Sequence, residues 1–124
     1  MNITGLQKAY LAEAVIAARR IVKHGSADDK IIQGTSATDK LLGVTTEVAA
    51  AINEHTDVIK SGMADVEYGG TVSRGDPLTS DATGRAVVAA PAAGANNRLI
   101  GFAEVSGVVG DIGQVWIEPG FMQG

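Results

Sequence analysis

The chain has no cysteine and very few aromatic side chains. The absence of cysteine excludes a disulfide scaffold and thiolate metal sites. Aromatic residues make up only 4% of the chain, so the core must be built from Val, Ile, Leu and Ala, which bury less apolar surface per residue. The resulting margin of stability is thin. Contacts with a partner or with further copies of the chain would add to it.

Basic clusters and long apolar runs are also missing. The net charge is -4 and no stretch concentrates Lys and Arg, which argues against nucleic acid as a direct partner. No apolar run approaches the roughly 18 residues of a membrane helix, and the N-terminus lacks the residue order of a secretion signal. We therefore expect a soluble protein that folds as one domain and binds neither nucleic acid nor a membrane.

The chain does contain an internal repeat. Residues 40–46 align with 98–104, and residues 57–62 align with 115–120, at an offset of 58 positions. Further upstream the offset is 56, which places two extra residues in the loop at 91–95. Each copy is too small to close a core alone, so the pattern predicts half-repeats at about 13–62 and 69–120 that fold together with pseudo-twofold symmetry.

Short β-branched segments alternate with turn residues along both copies. Turn signals recur about every 8 to 12 residues, which is typical of all-β sandwiches and barrels. Strands are predicted at 30–33, 40–46, 56–60, 63–68 and 114–118, with a hairpin over 76–88. Alanine favours helix in 8–20, but its second copy contains Gly75 and Pro77, so we assign strand there as well. Residues 48–52 are compatible with one helical turn.

The ends of the chain are predicted to lie outside the domain. Residues 1–12 mix polar residues with single apolar ones and are interpreted as an extended N-terminal arm, with Ile3, Leu6 and Tyr10 as its apolar anchors. Residues 13–120 then form the single all-β domain, a small β-barrel or sandwich. Residues 121–124 form a short tail that is mobile unless a neighbour holds it.

The only tryptophan lies on the polar side of its predicted strand. By alternation Trp116 shares a face with Gln114 and Glu118, and its repeat counterpart, Val58, is placed likewise. Two interpretations remain open. Either the N-terminal arm covers Trp116, or Trp116 forms a contact with a subunit or partner, where tryptophan is enriched.

Residue patterns for catalysis or metal binding are not found. The sequence contains no nucleophile elbow, phosphate-binding loop or zinc motif. His24 and His55 lie in predicted loops without further ligands at suitable spacing. The acidic pairs at 28–29 and 65–67 are interpreted as solvated surface. We predict that the protein is not an enzyme and uses no cofactor and no metal.

Two short motifs suggest alternatives. Lys40 follows an acidic residue in a small, duplicated all-β chain, as the acceptor lysine does in lipoyl and biotinyl carrier domains. Arg74-Gly75-Asp76 spells a tripeptide that some cell-surface receptors bind, which would suit a host-surface binding module. The lysine is repeated as Arg98, and the tripeptide precedes a proline in a turn, so ordinary structural explanations exist for both.

A longer pattern resembles a known family. VEYGGTVSRGDPLTSD at 66–81, GRA at 84–86 and APAAGANNRLIG at 90–101 are similar to the small capsid decoration or cement proteins of tailed bacteriophages. RIVK at 20–23 and IEPG at 117–120 fit as well, so the resemblance covers most of the chain. These motifs are structural rather than catalytic and identify no binding residue.

The resemblance implies a structural virion protein. Such a protein docks on the outer surface of the expanded capsid, commonly as a homotrimer, and clamps neighbouring major capsid protein subunits after synthesis in the bacterial host cytoplasm. The N-terminal arm matches no motif of the family. The expectation that Ile3, Leu6, Tyr10 and Trp116 contact the capsid or another subunit therefore comes from physical reasoning alone.

Overall fold

A computed structural model describes residues 3–124, with side chains from Gly5 onward. The described chain is built from strands and turns, which confirms the predicted all-β fold. The strands are β1 (Ile3–Thr4), β2 (Gln7–Ala12), β3 (Ile21–His24), β4 (Lys30–Gln33), β5 (Leu41–Thr45), β6 (His55–Ile59), β7 (Gly62–Glu67), β8 (Pro77–Ser80), β9 (Ala86–Val88), β10 (Asn96–Ala103) and β11 (Ile112–Gln123). Within residues 3–124, no helix has the length and apolarity to cross a membrane.

Five strands of the first half close into a barrel in the order β2-β4-β3-β5-β6. The closure depends on β2, which pairs antiparallel with β6 and parallel with β4. Alternate side chains of these strands point inward, so each strand contributes to one small apolar interior. That interior consists of Tyr10, Ala12, Ile16, Val22, Ile31, Leu42, Ala50 and Val58.

The predicted N-terminal arm is wrong for residues 7–12. These residues form β2, and Tyr10 is only 4% exposed because its ring fills the barrel interior. The ammonium groups of Lys8 and Lys60 lie 4.9 and 5.7 Å from the ring centroid of Tyr10 and cover its outer end. The polar residues that suggested an arm are the exposed positions of a barrel strand. Tyr10 is therefore a core residue and not an exposed anchor.

The second half repeats this topology. Its sheet has the order β1-β7-β11-β10-β8-β9. A parallel bridge between Tyr68, directly after β7, and Ala86 of β9 corresponds to the parallel pairing of β2 with β4. Strands β2 to β6 therefore correspond to β7 to β11, and the predicted construction from two half-repeats is confirmed. The expectation that neither copy closes a core alone is wrong for the first half, because its barrel encloses an apolar interior of its own. The structural repeat starts at β2 and β7, earlier than the predicted starts at 13 and 69.

The offset between the two copies changes at one further place that the sequence alignment did not indicate, between the last two strands of each half. The connection from β5 to β6 spans residues 46–54, and that from β10 to β11 spans 104–111, which is one residue shorter. The pairs Val44 with Ile59 and Phe102 with Trp116 occupy the same ladder positions. The structural counterpart of Trp116 is thus Ile59 and not Val58. A slip of one residue in the alignment exchanges the two faces of a strand. For this reason Val58 was predicted on the exposed face with Trp116, whereas it is buried inside the barrel.

Three smaller expectations also differ from the structure. The predicted helical turn at 48–52 is replaced by an antiparallel bridge between Ile16 and Ala50. The predicted mobile tail belongs to β11, whose Gln123 pairs with Asn96. Simple alternation along β10 would place Phe102 on the same face as the buried Ile100, but Phe102 is only half-buried because a bulge between Leu99 and Gly101 shifts the register of β10.

The two halves meet along one outer face of the first barrel. Ile21, Val44 and Ile59 are each 0% exposed and belong to the same buried cluster as the interior of the second half. The turn at 81–85 of the second half seals this contact. The backbone nitrogen of Ile21 donates to Gly84 O at 2.7 Å, and the side chain of Gln33 donates to Thr83 O at 2.7 Å.

The carboxylate of Asp81 holds this turn in shape. It accepts hydrogen bonds from the backbone nitrogens of Thr83 at 2.8 Å and Arg85 at 2.9 Å. Burial alone would raise the pKa of Asp81, but these hydrogen bonds and the positive charge of Arg85 outweigh burial and lower the pKa below its ordinary 3.8. The ionised form therefore stabilises the turn and, through it, the contact between the halves.

Replacing Asp81 with Asn should lower the free energy of unfolding at neutral pH by about 1 to 2 kcal/mol. The pKa of Asp81 is lower in the folded state, so its contribution is present above pH 3.8 and is lost as the pH falls through the folded value. Urea denaturation from neutral to acidic pH should show Asp81→Asn and the wild type converging. Asp57→Asn, an exposed position on β6, is the control. A constant gap at all pH values would contradict this role.

Candidate functional site

An apolar row crosses the outer face of the second half. Its four members pair directly across β7, β11, β10 and β8, and we call them the outer row: Met63, Trp116, Phe102 and Pro77. Trp116 is 46% exposed and the other three are half-buried. The rings of Phe102 and Trp116 lie 6.4 Å apart between centroids, tilted by 49°. Such a large, rigid aromatic pair is typical of contact surfaces.

A groove of about 500 Å³ runs along one side of this row. It is lined by Arg74, Gly75, Phe102, Ala103, Glu104 and Trp116. The turn that carries Arg74 is held in place because Gly75 N donates to Ala103 O at 2.7 Å and Arg74 N donates to Ser106 Oγ at 3.0 Å. Hydrogen bonds therefore hold this side of the groove in place, and the basic Arg74 and the acidic Glu104 lie beside the two rings.

The four residues that were predicted to form contacts lie in different surroundings in the structure. Trp116 is 46% exposed, on the polar side of its strand as predicted, and residues 7–12 of the predicted arm lie in the first barrel instead of covering it. Leu6 is 57% exposed at the junction of β1 and β2, where its backbone nitrogen donates to Ser61 Oγ at 2.7 Å. The backbone of Ile3 pairs with Met63, next to the outer row, but its side chain lies outside the described residues. Tyr10 is remote from this face, inside the first barrel.

Sequence reasoning missed Met63, Phe102 and Pro77 as members of this surface. Each looks ordinary within its own strand, and only the register between four strands brings them together with Trp116. Register depends on turn geometry and on the bulge in β10, which the alternation of single strands does not reveal.

The two alternative motifs have different surroundings. Lys40 is exposed, but it follows the turn at 37–38 and leads directly into β5, away from the hairpin tip that a carrier lysine occupies. Arg74 and Gly75 are exposed beside Trp116, whereas Asp76 is half-buried and its carboxylate accepts a hydrogen bond from Ser73 N at 2.9 Å. The tripeptide thus belongs to the wall of the groove.

A second groove, of about 580 Å³, lies at the mouth of the first barrel. The exposed turn at 25–29 forms one side, and Lys8, Tyr10 and Lys60 form the other. Glu13 anchors the turn because its carboxylate accepts hydrogen bonds from the backbone and hydroxyl of Ser26, and these bonds lower its pKa. The charges at this mouth are closely spaced, with Lys8 Nζ at 2.7 Å from a carboxylate oxygen of Asp29.

Metal-binding groups do not converge in the part of the chain that the structure describes. In that part, no three His, Cys, Asp or Glu side chains could hold an ion together. His24 and His55 are both exposed at strand ends. The features that distinguish this surface are therefore the outer row and the two grooves.

Comparison with known proteins identifies the family. The family model described as phage cement protein matches residues 5–118. The chain belongs to the phage cement protein family. The match includes every strand from β2 to β10 and most of β11, so membership covers both half-repeats, and the resemblance noted in the sequence is confirmed. Members of the cement protein family are capsid-associated structural proteins of bacteriophages.

A solved structure shares the fold of this cement protein. It is the N base of the head fiber gp8.5 of bacteriophage phi29, with a TM-score of 0.69 and 19% sequence identity. The similarity covers 91% of this chain and 93% of that chain. At this identity the likeness establishes the fold alone. None of the curated proteins matches the chain.

Proposed function

We propose that this cement protein decorates the outside of an expanded phage capsid and stabilises it by bridging major capsid protein subunits, and that it acts as a homotrimer. The observation that carries the proposal is the family match over residues 5–118. The exposed outer row supports it, because a small domain with so few aromatic residues leaves its only tryptophan 46% exposed on the outer face of a sheet.

The energetics of decoration suit a small, thinly stabilised domain. A protein that binds only the assembled, expanded lattice stabilises that lattice by mass action, in proportion to the logarithm of its free concentration over its dissociation constant. A trimer that engages several capsid subunits at once gains avidity by about 10² to 10⁴ without strong single contacts. The capsid then resists internal pressure without any catalytic step.

The N-terminal edge of the second sheet is the proposed capsid contact. β1 pairs with β7 on one side, and among the described residues no strand pairs with its other side. An open edge of this kind accepts an extended segment of another protein through backbone hydrogen bonds. Leu6, 57% exposed directly after β1, supplies an apolar anchor, and Ile3 lies within β1 itself.

Replacing Leu6 with Asp should weaken binding to expanded heads at least about tenfold, because burying a leucine contributes roughly 1.5 to 3 kcal/mol. Deleting residues 1–4, which removes β1, should have at least as large an effect. Co-sedimentation with purified expanded heads measures both. Val109→Asp is the matched control, since Val109 is also an exposed apolar residue, at 60%, in the connection between β10 and β11.

Two results would argue against this proposal. If the wild type does not sediment with expanded heads, capsid decoration is wrong. If the wild type binds and both Leu6→Asp and the deletion bind equally well, decoration stands but the N-terminal edge is not the contact. Circular dichroism of each variant must first show an intact all-β fold.

A further inference from the structure

The groove beside Trp116 has a covered counterpart in the first half. We call the groove the aromatic groove, after the pair Phe102 and Trp116 that lines it. At the same ladder positions of the first half, Val44 pairs with Ile59, and both are 0% exposed. One position of the repeat is therefore aliphatic where it is buried and aromatic where it is open. Exposed apolar surface of this kind marks a site of contact or ligand binding.

The aromatic groove also carries two charges that the described part of the chain does not neutralise. Arg74 and Glu104 are both exposed, and among residues 5–124 neither side chain has an ion pair or a hydrogen bond. Their backbones are fixed, because Arg74 N donates to Ser106 Oγ at 3.0 Å and Glu104 N donates to Gln114 O at 3.0 Å. The guanidinium and the carboxylate are therefore held beside the rings and are available to a ligand.

These groups restrict the chemistry of the ligand. A wholly apolar partner would take both charges out of water without compensation, which is unfavourable. A ligand with a single charge would pair with one of them and bring a like charge close to the other. A ligand rich in hydroxyl groups satisfies both, because a hydroxyl can donate to Glu104 and another can accept from Arg74.

The strands beneath the rings do not offer an edge to a peptide. Phe102 pairs with Trp116 on one side and with Pro77 on the other. Trp116 pairs with Phe102 and with Met63. Both rings thus stand on backbone that is already paired on two sides, so an extended peptide cannot add there as a further strand.

We propose that the aromatic groove binds a neutral saccharide. A sugar ring has an apolar C–H face, which packs flat on an aromatic ring, and a rim of hydroxyl groups. With that face on Trp116, the hydroxyl groups lie between the carboxylate of Glu104 and the guanidinium of Arg74. The groove volume of about 500 Å³ is within the range of about 300 to 1,000 Å³ found for small-molecule sites.

The surroundings of the groove favour a neutral saccharide over an anionic one. Glu118 lies on the same face of β11 as Trp116, and Asp76 lies two positions after Arg74. The whole chain has a net charge of -4. These carboxylates repel sulfated or carboxylated sugars.

The aromatic groove lies apart from the proposed capsid contact. In the sheet order, β1 is separated from β10 and β11 by β7, and Leu6 directly follows β1. Saccharide binding therefore does not require capsid decoration. Where both occur, the many copies on one capsid raise the avidity for a repeating polysaccharide by about 10² to 10⁴.

Intrinsic fluorescence tests the proposal directly because Trp116 is the only tryptophan. The probes are neutral polysaccharides built from glucose, mannose, galactose, rhamnose or N-acetylglucosamine, each titrated to about 10 mM sugar units. Polygalacturonate is the acidic comparison. At least one neutral probe should shift the emission to shorter wavelength, because stacking removes water from the indole ring, and the acidic probe should have a smaller effect.

Electrophoresis in gels that contain the bound polysaccharide compares variants without using fluorescence. Trp116→Ala should weaken binding at least about tenfold, whereas Trp116→Phe, which keeps an aromatic face, should retain most of it. Arg74→Ala and Glu104→Gln should each weaken binding about three- to tenfold. Phe121→Ala is the matched control, since Phe121 is also an exposed aromatic residue of β11, at 68%, and lies outside the groove.

Several results would overturn the saccharide site. It is wrong if no neutral polysaccharide shifts the emission, if only the acidic probe binds, or if Trp116→Ala binds as well as the wild type. It is also wrong if Trp116→Ala, with an intact fold by circular dichroism, no longer sediments with expanded heads, because the groove is then a capsid contact. If Trp116→Ala does not fold, Arg74→Ala, which changes an exposed side chain, decides both questions. Capsid decoration itself is judged by the wild type with heads.

Discussion

The Tyr68→Ala variant is expected to lose about 4 kcal/mol of unfolding free energy, because a fully buried aromatic side chain leaves a large cavity when it is truncated. Tyr68 is 0% exposed and fills the end of the second half, where β7 is bridged to Ala86. Its hydroxyl donates to Val105 O at 2.7 Å. The backbone around it is shaped for the ring, since a Cβ added at Gly113 would lie 2.1 Å from Tyr68 Cζ.

Urea denaturation followed by circular dichroism measures this loss. Tyr68→Phe keeps the ring and removes only the hydrogen bond, so it should cost about 1 kcal/mol. In the first half the counterpart of Tyr68 is the small Ala12, which is also 0% exposed, so the ring is a feature of the second half alone. If Tyr68→Ala and Tyr68→Phe cost the same, ring packing is not what supports this half.

Replacing Gly101 with Ala should destabilise the protein by about 3 kcal/mol, because overpacking against backbone cannot be relieved by moving a side chain. A Cβ on Gly101 would lie 1.9 Å from Trp116 O and 3.1 Å from Glu118 N. Relief requires β10 and β11 to separate at the bulge. Gly43 holds the equivalent position in the first half, where an added Cβ would lie 2.4 Å from Ile59 O, so the requirement belongs to the repeat.

Gly120→Ala is the matched control for this experiment. Gly120 lies in the same ladder, paired with Leu99, and a Cβ there meets no atom within 4 Å. Its variant should stay within about 0.5 kcal/mol of the wild type in thermal or urea unfolding. Equal stabilities of Gly101→Ala and Gly120→Ala would refute the steric explanation. Since Gly101 precedes Phe102, a forced shift should also disturb the outer row.

Several elements were predictable because their signals are local. The hairpin at 76–88 has turn residues between two β-branched segments, and the structure has β8 and β9 there with a turn held by Asp81. The exposed side of Trp116 followed from simple alternation between Val115 and Ile117, which are buried. The family was recognisable because its motifs of Gly, Asp and Pro lie in turns, where one residue type is required at one place.

The candidate site was only partly predictable because its signals are not local. Tyr10 was expected to be an exposed anchor, but β2 closes a barrel through distant partners, since Leu11 pairs with Lys30, 19 positions away, and Tyr10 pairs with Thr56, 46 positions away. The pairing of Trp116 with Val58 was one residue wrong because a single deletion between β10 and β11 leaves the apolar pattern almost unchanged. Nothing in a single strand marks such a deletion.

The amino-acid sequence by itself determined the strand content, the duplication, the family and the exposed face of Trp116, because each depends on neighbouring residues or on direct comparison of the two copies. The tertiary structure alone decided that β2 belongs to a barrel, that Met63, Phe102 and Pro77 join Trp116, and that Ile21, Val44 and Ile59 are buried between the two halves. These outcomes depend on register and on the packing of the two halves, which arise only when distant strands meet.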